Sequence, residues 1–367
     1  MRIGVVGCGN ISGQYFRTLA RFANVTVAAV CDRDGARARA AAEKWGVPRV
    51  LTLDKLLDDP EIDAVLNLTT PDAHHEVALR AIAAGKHVYN EKPITSTLDE
   101  ARDLLAAAGD RGLRIGCAPD TVLGSTWQTV RALIDRGELG VVVGGQLTMV
   151  YAGPEWWHPD PEFYYKPGAG PVLDMGPYFI HALVMLLGPV ARVTARTRRT
   201  HARRRINSEP KRGEMVDVEV DTHATAILEL ESGPIVTMLM SFDVPASRNR
   251  DIEIYGSAAT LAVHSPNDFE PAAGGLGIEL RRVDGQAWEP VDLTGGPAVN
   301  GRGLGIAEMA SAIAEDRPHR ASGELALHAL EVMLAVGQSS EEGRSIDIVS
   351  RPPRPEPLPD GWRPGSM

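Results

Sequence analysis

Lys92 stands between a carboxylate and a proline, in the run Asn90-Glu91-Lys92-Pro93. The residue before a proline is biased toward extended backbone, so we expect the Lys92 amine to lie at a strand end and not within a helix. A lysine fixed in such a place can transfer protons near neutral pH when burial or a neighbouring cation lowers its pKa. Taken alone, the motif also fits a surface lysine.

A second group of candidate proton-transfer residues comprises Asp174, Tyr178 and His181. Pro177 suits the first turn of a helix that continues to Leu187. Tyr178 and His181 are three residues apart and so share one face of that helix, while Asp174 lies just before its positive end. That face would combine a phenol, an imidazole and a carboxylate. The alternatives are that the two rings only pack under a sheet and that Asp174 only caps the helix.

Six of the nineteen aromatic residues fall within positions 151–165, a segment broken by prolines. This is more aromatic surface than a small core needs, and aromatic rings with polar neighbours can stack on a sugar and bind its hydroxyls. The candidate substrate-binding residues are Trp156, Trp157, His158, Tyr164 and Asp174. A hydrophobic plug or a subunit contact remains the alternative.

These candidates follow a glycine-rich loop near the N-terminus, Gly7-Cys8-Gly9-Asn10-Ile11-Ser12. It comes after the apolar run Ile3–Val6 and before residues with helical spacing, as a dinucleotide loop requires. Gly7 permits the tight turn, and Gly9 lets the backbone approach a pyrophosphate at the helix N-terminus. Ser12 replaces the third glycine but is small enough for close packing. The candidate cofactor contacts here are Gly7, Gly9, Asn10 and Ile11.

Asp32 ends the second predicted strand, 25–30, at the place where an acid accepts hydrogen bonds from the adenosine ribose. Such an acid also repels the 2′-phosphate of NADP. The neighbouring Arg33 indicates the opposite, because a guanidinium can receive that phosphate. The predicted cofactor is therefore NAD, with NADP as the alternative; Asp32 could otherwise be a turn residue only.

Composition bounds the class of protein. The length of 367 residues predicts two domains, and the net charge of −10 argues against a nucleic-acid partner. Three widely spaced cysteines without a CxxC pair argue against disulfides and structural zinc. The N-terminal apolar run is too short for a signal-peptide core or a membrane span. We predict a cytoplasmic protein with no metal site and no membrane partner.

The first part of the chain alternates strand and helix patterns, with strands at 64–68 and 87–90 and a helix at 75–84, which predicts a parallel sheet. After Pro119 the chain becomes β-rich, with long strand runs at 215–231 and 235–243 that predict a mostly antiparallel sheet. We expect an α/β protein with three parts: a dinucleotide-binding Rossmann domain at 1–120, a substrate-binding and oligomerisation domain at 121–350, and a proline-rich tail at 351–367.

In these motifs the sequence resembles the Gfo/Idh/MocA oxidoreductases over nearly its whole length. The resemblance rests on a series of segments in a fixed order: the glycine loop, Thr70-Pro71-Asp72-Ala73-His74-His75, Ala84-Gly85-Lys86-His87-Val88, Glu91-Lys92-Pro93, Gly170–Tyr178 and Glu253-Ile254-Tyr255-Gly256. It implies a doubly wound Rossmann domain followed by an α/β domain whose large open sheet makes a homodimer or homotetramer. It also implies NAD(P)-dependent oxidation or reduction of sugars, cyclitols or related polyols, with Lys92 as the catalytic lysine. The cofactor contacts it implies are Thr70, Pro71, His75, Glu91 and Lys92.

The sequence departs from the commonest family pattern at the second catalytic element. Four residues after the aspartate, Asp174, stands Tyr178 where a histidine is usual, and a histidine follows at position 181. The glucose–fructose oxidoreductase and dihydrodiol dehydrogenase branches look like this and use the tyrosine as acid/base. We expect Lys92 to stabilise the developing alkoxide, Tyr178 or His181 to move the proton, and Asp174 to orient substrate hydroxyls. The alternatives are an NAD-dependent glycosidase that oxidises transiently, and a sensor that binds dinucleotide without catalysis.

Overall fold

The structure, a computed structural model, describes residues 1–271, 275–297, 299–359 and 361–363. It divides into two compact units. The first unit comprises Met1–Gln128, Thr294–Leu327 and the chain from Pro355; the second comprises Thr129–Leu293 and His328–Arg354. The domain boundaries at residues 120 and 350 remain a prediction. Within the predicted tail, position 360 and positions 364–367 lie outside the described residues.

The first unit is built on strands that alternate with helices. In chain order these elements are β1 (Arg2–Val6), α1 (Ser12–Leu19), β2 (Thr26–Cys31), α2 (Gly35–Trp45), α3 (Leu53–Leu57), β3 (Ala64–Asn67), α4 (Pro71–Ala83), β4 (His87–Asn90), α5 (Leu98–Gly109) and β5 (Ile115–Cys117). All neighbouring strands are parallel, in the order β2-β1-β3-β4-β5. The predicted doubly wound parallel sheet is therefore confirmed.

The strand order places a crevice at the carboxyl edge of this sheet. After β1 the chain moves outward to β2, and it then returns past β1 to β3, so the connections after β1 and β3 lead in opposite directions. Ligands of open parallel sheets bind at such a switch point. The glycine loop follows β1 and the Thr69-Thr70-Pro71 turn follows β3, so both lie at this crevice.

The helix predicted at 75–84 begins earlier, at Pro71. Thr70 has extended backbone angles (φ −79°, ψ 154°) and Pro71 occupies the first helical position, where its missing N–H costs nothing. The earlier start places both His74 and His75 within the helix.

The remaining elements, in chain order, are α6 (Ser125–Asp135), β6 (Val142–Val150), α7 (Pro171–Leu187), β7 (Val190–Arg198), β8 (Arg203–Arg205), β9 (Met215–Asp217), β10 (His223–Leu230), β11 (Ile235–Ser241), β12 (Ile252–Gly256), β13 (Ala259–Val263), β14 (Ile278–Arg282), β15 (Glu289–Val291), α8 (Leu304–Ala314), α9 (Gly323–Glu342) and β16 (Ile346–Asp347). Short 3₁₀ turns occur at Thr121–Leu123, Pro154–Trp156 and Glu162–Tyr165. No helix of the described residues has the length and apolar character needed to cross a membrane.

The second unit contains a nine-stranded sheet in the order β15-β14-β13-β12-β6-β11-β10-β7-β16. Its neighbours are antiparallel except for β6 and β11, which confirms the predicted mostly antiparallel sheet. The single strand predicted at 215–231 is wrong, because β9 pairs with β8 and β10 lies in the large sheet. Between β9 and β10 the Glu219 N–H donates to Tyr165 O and not to a neighbouring strand, so the sheet ladder is interrupted there. The burial of the side chains nevertheless continues to alternate through this stretch.

Helix α7 packs against the central strands β6, β10 and β11. It begins at Pro171 after Gly170, whose φ of +91° favours glycine, so Pro177 lies inside the helix and not in its first turn. The predicted helix start at Pro177 is therefore wrong. With the earlier start, Asp174 and Tyr178 are separated by one turn and lie on the same face.

Burial of two histidines in the second unit predicts acid lability. His181 and His328 are almost fully buried, and burial lowers the pKa of each to about 4. Unfolded histidine titrates near 6.5, so between these values the unfolded chain binds more protons and the free energy of unfolding falls as the pH falls. We expect each histidine to remove about 2 kcal/mol between pH ~7 and pH ~5.

Urea unfolding at the two pH values measures this loss. The variant His181→Asn does not titrate there and retains an amide donor for the carbonyl of Pro177, so its loss should be smaller. An equal loss in the variant and the natural chain would contradict the assignment to His181.

Candidate active site

The glycine loop combines one strained position with one open position. Gly7 has φ +97°, and a Cβ there would lie 2.5 Å from Leu68 O, so both the turn and the close approach of the β1 and β3 connections require glycine. A Cβ on Gly9 would meet no heavy atom within 4 Å. Ser12 Oγ donates to Gly9 O at 2.7 Å at the start of α1. The loop therefore leaves free space in front of the helix N-terminus, where a phosphate binds.

An open cleft of about 660 Å³ extends from this loop along α2. Its lining includes Gly9 and Asn10 from the loop and Arg37, Lys44 and Trp45 from α2. The two cations and the indole were missed by sequence reasoning. Helical spacing contains a signal for them, because positions 37, 41, 44 and 45 of α2 share one face.

Asp32 connects the end of β2 to the glycine loop. Its carboxylate accepts hydrogen bonds from the N–H groups of Cys8 (2.7 Å) and Asp34 (2.8 Å), and the Arg37 guanidinium lies 3.8 Å away. Arg33 is exposed. Two carboxylate oxygens accept up to about four hydrogen bonds, so Asp32 retains capacity for a ribose hydroxyl. These residues fit the adenosine end of a dinucleotide.

The two adjacent histidines of α4 have different surroundings. His75 is partly exposed, and its Nε2 lies 2.8 Å from the Asp103 carboxylate, on the outside of the first unit. His74 is fully buried and lies between the backbone of Thr69 and that of Pro93. The sequence analysis named His75 as a cofactor contact, which stays a prediction, and assigned no role to His74. The apolar positions 77, 78, 81 and 82 are buried on the same face as His74, and this spacing is the signal that identifies it.

Glu91 fixes the backbone of the catalytic candidate. One carboxylate oxygen accepts the Tyr15 hydroxyl proton at 2.8 Å, and the other accepts the Lys92 N–H at 2.9 Å. Glu91 is buried, Lys92 is half-buried, and the Lys92–Pro93 peptide bond is cis. Because Tyr15 belongs to α1, the helix that opens at the glycine loop is bonded to the segment that carries Lys92.

Asp120 is a further buried carboxylate of the first unit that sequence reasoning did not place. Its Oδ2 accepts the N–H groups of Gly303 and Gly305 at 2.8 and 2.9 Å, at the start of α8. Burial raises the pKa of this carboxyl, and these hydrogen bonds and Arg302 oppose the rise. Asp120 thus caps α8 and connects it to the segment after β5.

In the second unit, Asp174, Tyr178 and His181 follow one face of α7 from its accessible end inward. Asp174 is partly accessible, Tyr178 is 5% exposed and His181 is 1% exposed. His181 Nδ1–H donates to Pro177 O at 2.7 Å, and burial keeps the ring neutral at physiological pH. The phenol is thus nearer to the accessible end of the helix than the imidazole is.

The aromatic segment 151–165 lies close to Asp174 within the same unit. The pKa of Tyr151 is raised first by burial and then by the charge of Asp174 and by Tyr164. The Tyr164 ring contacts those of Trp157, His158 and Phe163 at centroid distances of 4.1 to 6.1 Å. Trp156 and Trp157 are 60% and 57% exposed. Both indoles are thus accessible to solvent.

A buried ionic network holds this segment in place. Arg204 Nε donates to Glu155 Oε1 at 2.7 Å, and the same guanidinium pairs with Asp243 and donates to the carbonyl of Phe242 at 2.9 Å. Glu155 also accepts the Tyr165 hydroxyl. Glu155 is buried, and the side chains of Arg204 and Asp243 are only 11% and 8% exposed; sequence reasoning did not identify this network, because its members come from distant parts of the chain.

Substitution of the two loop glycines should separate folding from binding. Gly9→Ala should leave the thermal midpoint unchanged, because its methyl group meets open space, yet weaken dinucleotide binding by about tenfold or more, because it fills the phosphate approach. Gly7→Ala should lower the midpoint, because its methyl group strikes Leu68 O. Calorimetric binding of NAD and thermal unfolding measure the two effects. Normal binding by Gly9→Ala would contradict the placement of the pyrophosphate.

Two family models match this chain. A model of an oxidoreductase family with an NAD-binding Rossmann fold matches residues 1–118, and a model of the GFO/IDH/MocA C-terminal domain matches residues 127–262. Together they cover most of the chain, including the whole parallel sheet and part of the nine-stranded sheet.

Individual relatives agree with these models. The chain is 26% identical over 354 residues to a 1,5-anhydro-D-fructose reductase from Ensifer adhaerens, covering 95% of this chain and 98% of that protein. It is 35% identical over 196 residues to a dTDP-3,4-didehydro-2,6-dideoxy-alpha-D-glucose 3-reductase from Streptomyces violaceoruber, over 53% of this chain and 56% of that protein. A solved structure of levoglucosan dehydrogenase in complex with NADH and L-sorbose superposes with a TM-score of 0.79 at 18% identity, covering 95% and 99% of the two chains. That likeness shows the fold.

Proposed function

The chain belongs to the GFO/IDH/MocA family of oxidoreductases, and we propose that it transfers a hydride between NAD(P) and a hydroxyl-bearing or keto carbon of a sugar, cyclitol or sugar derivative. The observation that supports this most is found within the first unit. An open glycine loop at the switch point of a parallel sheet is bonded, through Tyr15 and Glu91, to the segment that carries Lys92. The dinucleotide loop and the backbone that carries the Lys92 amine are thus joined within one unit.

The residues of the first unit would hold the dinucleotide from its adenosine end to its pyrophosphate. Asp32 would accept the ribose hydroxyls, Arg37 and Lys44 add positive charge to the cleft, and the backbone at Gly9 would receive the pyrophosphate. When bound, the nicotinamide supplies the hydride acceptor or donor. Because Asp32 and Arg37 are neighbours, we propose that NAD is preferred and that NADP is also accepted.

Lys92 and Tyr178 are the proposed proton-transfer pair. The Lys92 amine would donate a hydrogen bond to the reacting oxygen and stabilise the alkoxide, and the Tyr178 phenol would exchange the proton. Tyr178 is favoured over His181 because the imidazole is more deeply buried and its Nδ1–H is bonded to Pro177. Asp174, which is more accessible, would accept hydrogen bonds from substrate hydroxyls.

The aromatic segment supports a hydroxyl-rich ring as the substrate. Trp156 and Trp157 offer exposed indole faces, and His158 accepts the Asp160 N–H on Nδ1 at 3.0 Å, so the neutral ring has its proton on Nε2 as a donor. Tyr164 contacts both Trp157 and His158. Two relatives have names that specify an anhydro sugar and a deoxysugar nucleotide, which agrees with a carbohydrate substrate.

Absorbance at 340 nm with NAD or NADP, measured across aldoses, anhydro sugars, inositols and glycosides, tests the proposed activity. We expect one class of polyol to reduce NAD, and to do so faster than it reduces NADP. Turnover of a glycoside without net change in the absorbance, with dinucleotide retained through purification, would contradict it in favour of a glycosidase. Tight dinucleotide binding without any turnover would contradict it in favour of a sensor.

Single substitutions test the assigned residues on the substrate so identified. Lys92→Met and Tyr178→Phe should each lower kcat by roughly 10²-fold or more, the usual contribution of a positioned acid or base. His181→Asn should change kcat by less than about threefold, because that ring would not touch the substrate. Calorimetric NAD binding serves as the folding control for all three variants. A Tyr178→Phe variant at full rate, with a slow His181→Asn variant, would reverse the assignment.

The uncovered face of the second sheet supports a homodimer or homotetramer. Helix α7 covers one face, while Ile227 and Ile235 lie on the opposite face of β10 and β11 and are 45% and 54% exposed. Apolar side chains that cluster on an open sheet mark an association surface. Light scattering of the purified protein gives the number of subunits.

A further inference from the structure

The turn that carries Lys92 is held by side chains from two neighbouring elements. Pro93 O lies 2.6 Å from His74 Nδ1, on α4, and Ile94 O accepts the side-chain N–H of Asn90 at 3.0 Å. Together with the bond from the Lys92 N–H to Glu91, these contacts pair three backbone polar groups of the turn. Of these contacts, the one with His74 comes from α4, the helix that directly follows the Thr69-Thr70-Pro71 turn.

His74 has no exposed surface, and both of its ring nitrogens face carbonyl oxygens. Nδ1 lies 2.6 Å from Pro93 O and Nε2 lies 3.1 Å from Thr69 O. A carbonyl oxygen accepts only, so each contact is a hydrogen bond only when that nitrogen has a proton. A neutral imidazole has one proton for these two acceptors.

The position of that single proton follows from the geometry. Burial lowers the pKa of His74, while its contacts with the two carbonyls and the charges of Glu91 and Asp72 oppose the lowering. The neutral ring places its proton on the nitrogen with the shorter contact, so Nδ1 donates to Pro93 O.

The backbone of His74 is bonded to a buried amide network. The Asn67 side-chain N–H₂ group donates to His74 O at 3.2 Å and to Asn90 Oδ1 at 3.0 Å. Asn67 Oδ1 accepts the Thr69 N–H and hydroxyl. The backbone of His74 is therefore held relative to the ends of β3 and β4, and the direction of the ring is given by its two contacts with Pro93 O and Thr69 O.

We propose that His74 is a positioning residue: its Nδ1–H···O=C bond to Pro93 holds the turn that carries Lys92 and so fixes where the lysine amine lies. It touches neither substrate nor cofactor in this role and acts through Lys92. The proposal rests on the proposed catalytic role of Lys92, but its test does not require the substrate to be known.

Two amide substitutions separate the ring nitrogens. The amide nitrogen of Asn lies near the place of Nδ1, and that of Gln lies near the place of Nε2. His74→Asn keeps the donor to Pro93, and His74→Gln removes it while offering a donor toward Thr69. The readout is the rate at which the Lys92 amine of the full chain reacts with acetic anhydride over a range of pH, followed by peptide mass spectrometry.

His74→Asn should label within about twofold of the natural chain. His74→Gln should label about tenfold faster, because a turn released from one buried hydrogen bond samples open positions by that factor. Calorimetric NAD binding to each variant shows that the dinucleotide site is intact. His319→Asn is the matched control, since it removes the bond from His319 Nε2 to Ile115 O, also buried and also in the first unit. It should lower the thermal midpoint without changing Lys92 labelling.

Equal labelling of the Asn and Gln variants would overturn the proposal, because packing alone would then explain His74. Should His74→Gln fail to fold, ¹⁵N shifts of the imidazole in the natural chain decide the question, and a proton on Nε2 with none on Nδ1 would overturn it. A Lys92→Met variant with the full catalytic rate would contradict the catalytic role of Lys92. It would not affect the difference in labelling between the two His74 variants, so failure of the proposed function and failure of the His74 proposal can be told apart.

Discussion

The carboxyl edge of the parallel sheet depends on short polar side chains that pair with backbone groups beyond the ends of the strands. Asp32 binds the N–H of Cys8, Asn67 binds that of Thr69, and Glu91 binds that of Lys92. A buried backbone group without a partner costs free energy comparable to a lost hydrogen bond, so each of these side chains selects one path for the connection that follows it. The glycine loop, the Thr69 turn and the Lys92 turn thereby acquire fixed shapes at one crevice.

In the second unit, a charged side chain satisfies the backbone groups of an irregular segment. Its aromatic segment has only short turns of its own, and Arg204 replaces regular structure by donating to Glu155 and to backbone carbonyls while pairing with Asp243. A guanidinium suits this role because its donors are arranged in a rigid fork. Loss of one member would leave buried charge unpaired, so the segment is ordered only as long as the whole network is present.

The sequence predicts features whose causes are local. The loop glycines, the strand alternation and the Glu91-Lys92-Pro93 motif reflect turn geometry and periodicity, and the fold class followed from them. The assignment of His75 as a cofactor contact stays a prediction, while the burial of His74 was not foreseen, because the helix begins at Pro71, earlier than the predicted start. The helix start predicted at Pro177 was likewise too late, because α7 begins at Pro171. Arg204, Glu155 and Asp243 could not be grouped at all, since their partners are separated by 49 and 39 positions.

The β6 and β11 strands are the parallel neighbours in an otherwise antiparallel sheet, and this arrangement has a consequence for folding. Parallel neighbours need a long crossover, and here the crossover contains the aromatic segment, α7 and the strands β7 to β10. Pairing of β6 with β11 therefore closes a long loop, and contacts of such high sequence separation slow folding. Every residue assigned to the substrate in this unit is encoded inside that crossover. Changes that retune substrate choice are therefore made within the loop that this parallel pairing closes, and we expect them to affect folding as well as kinetics.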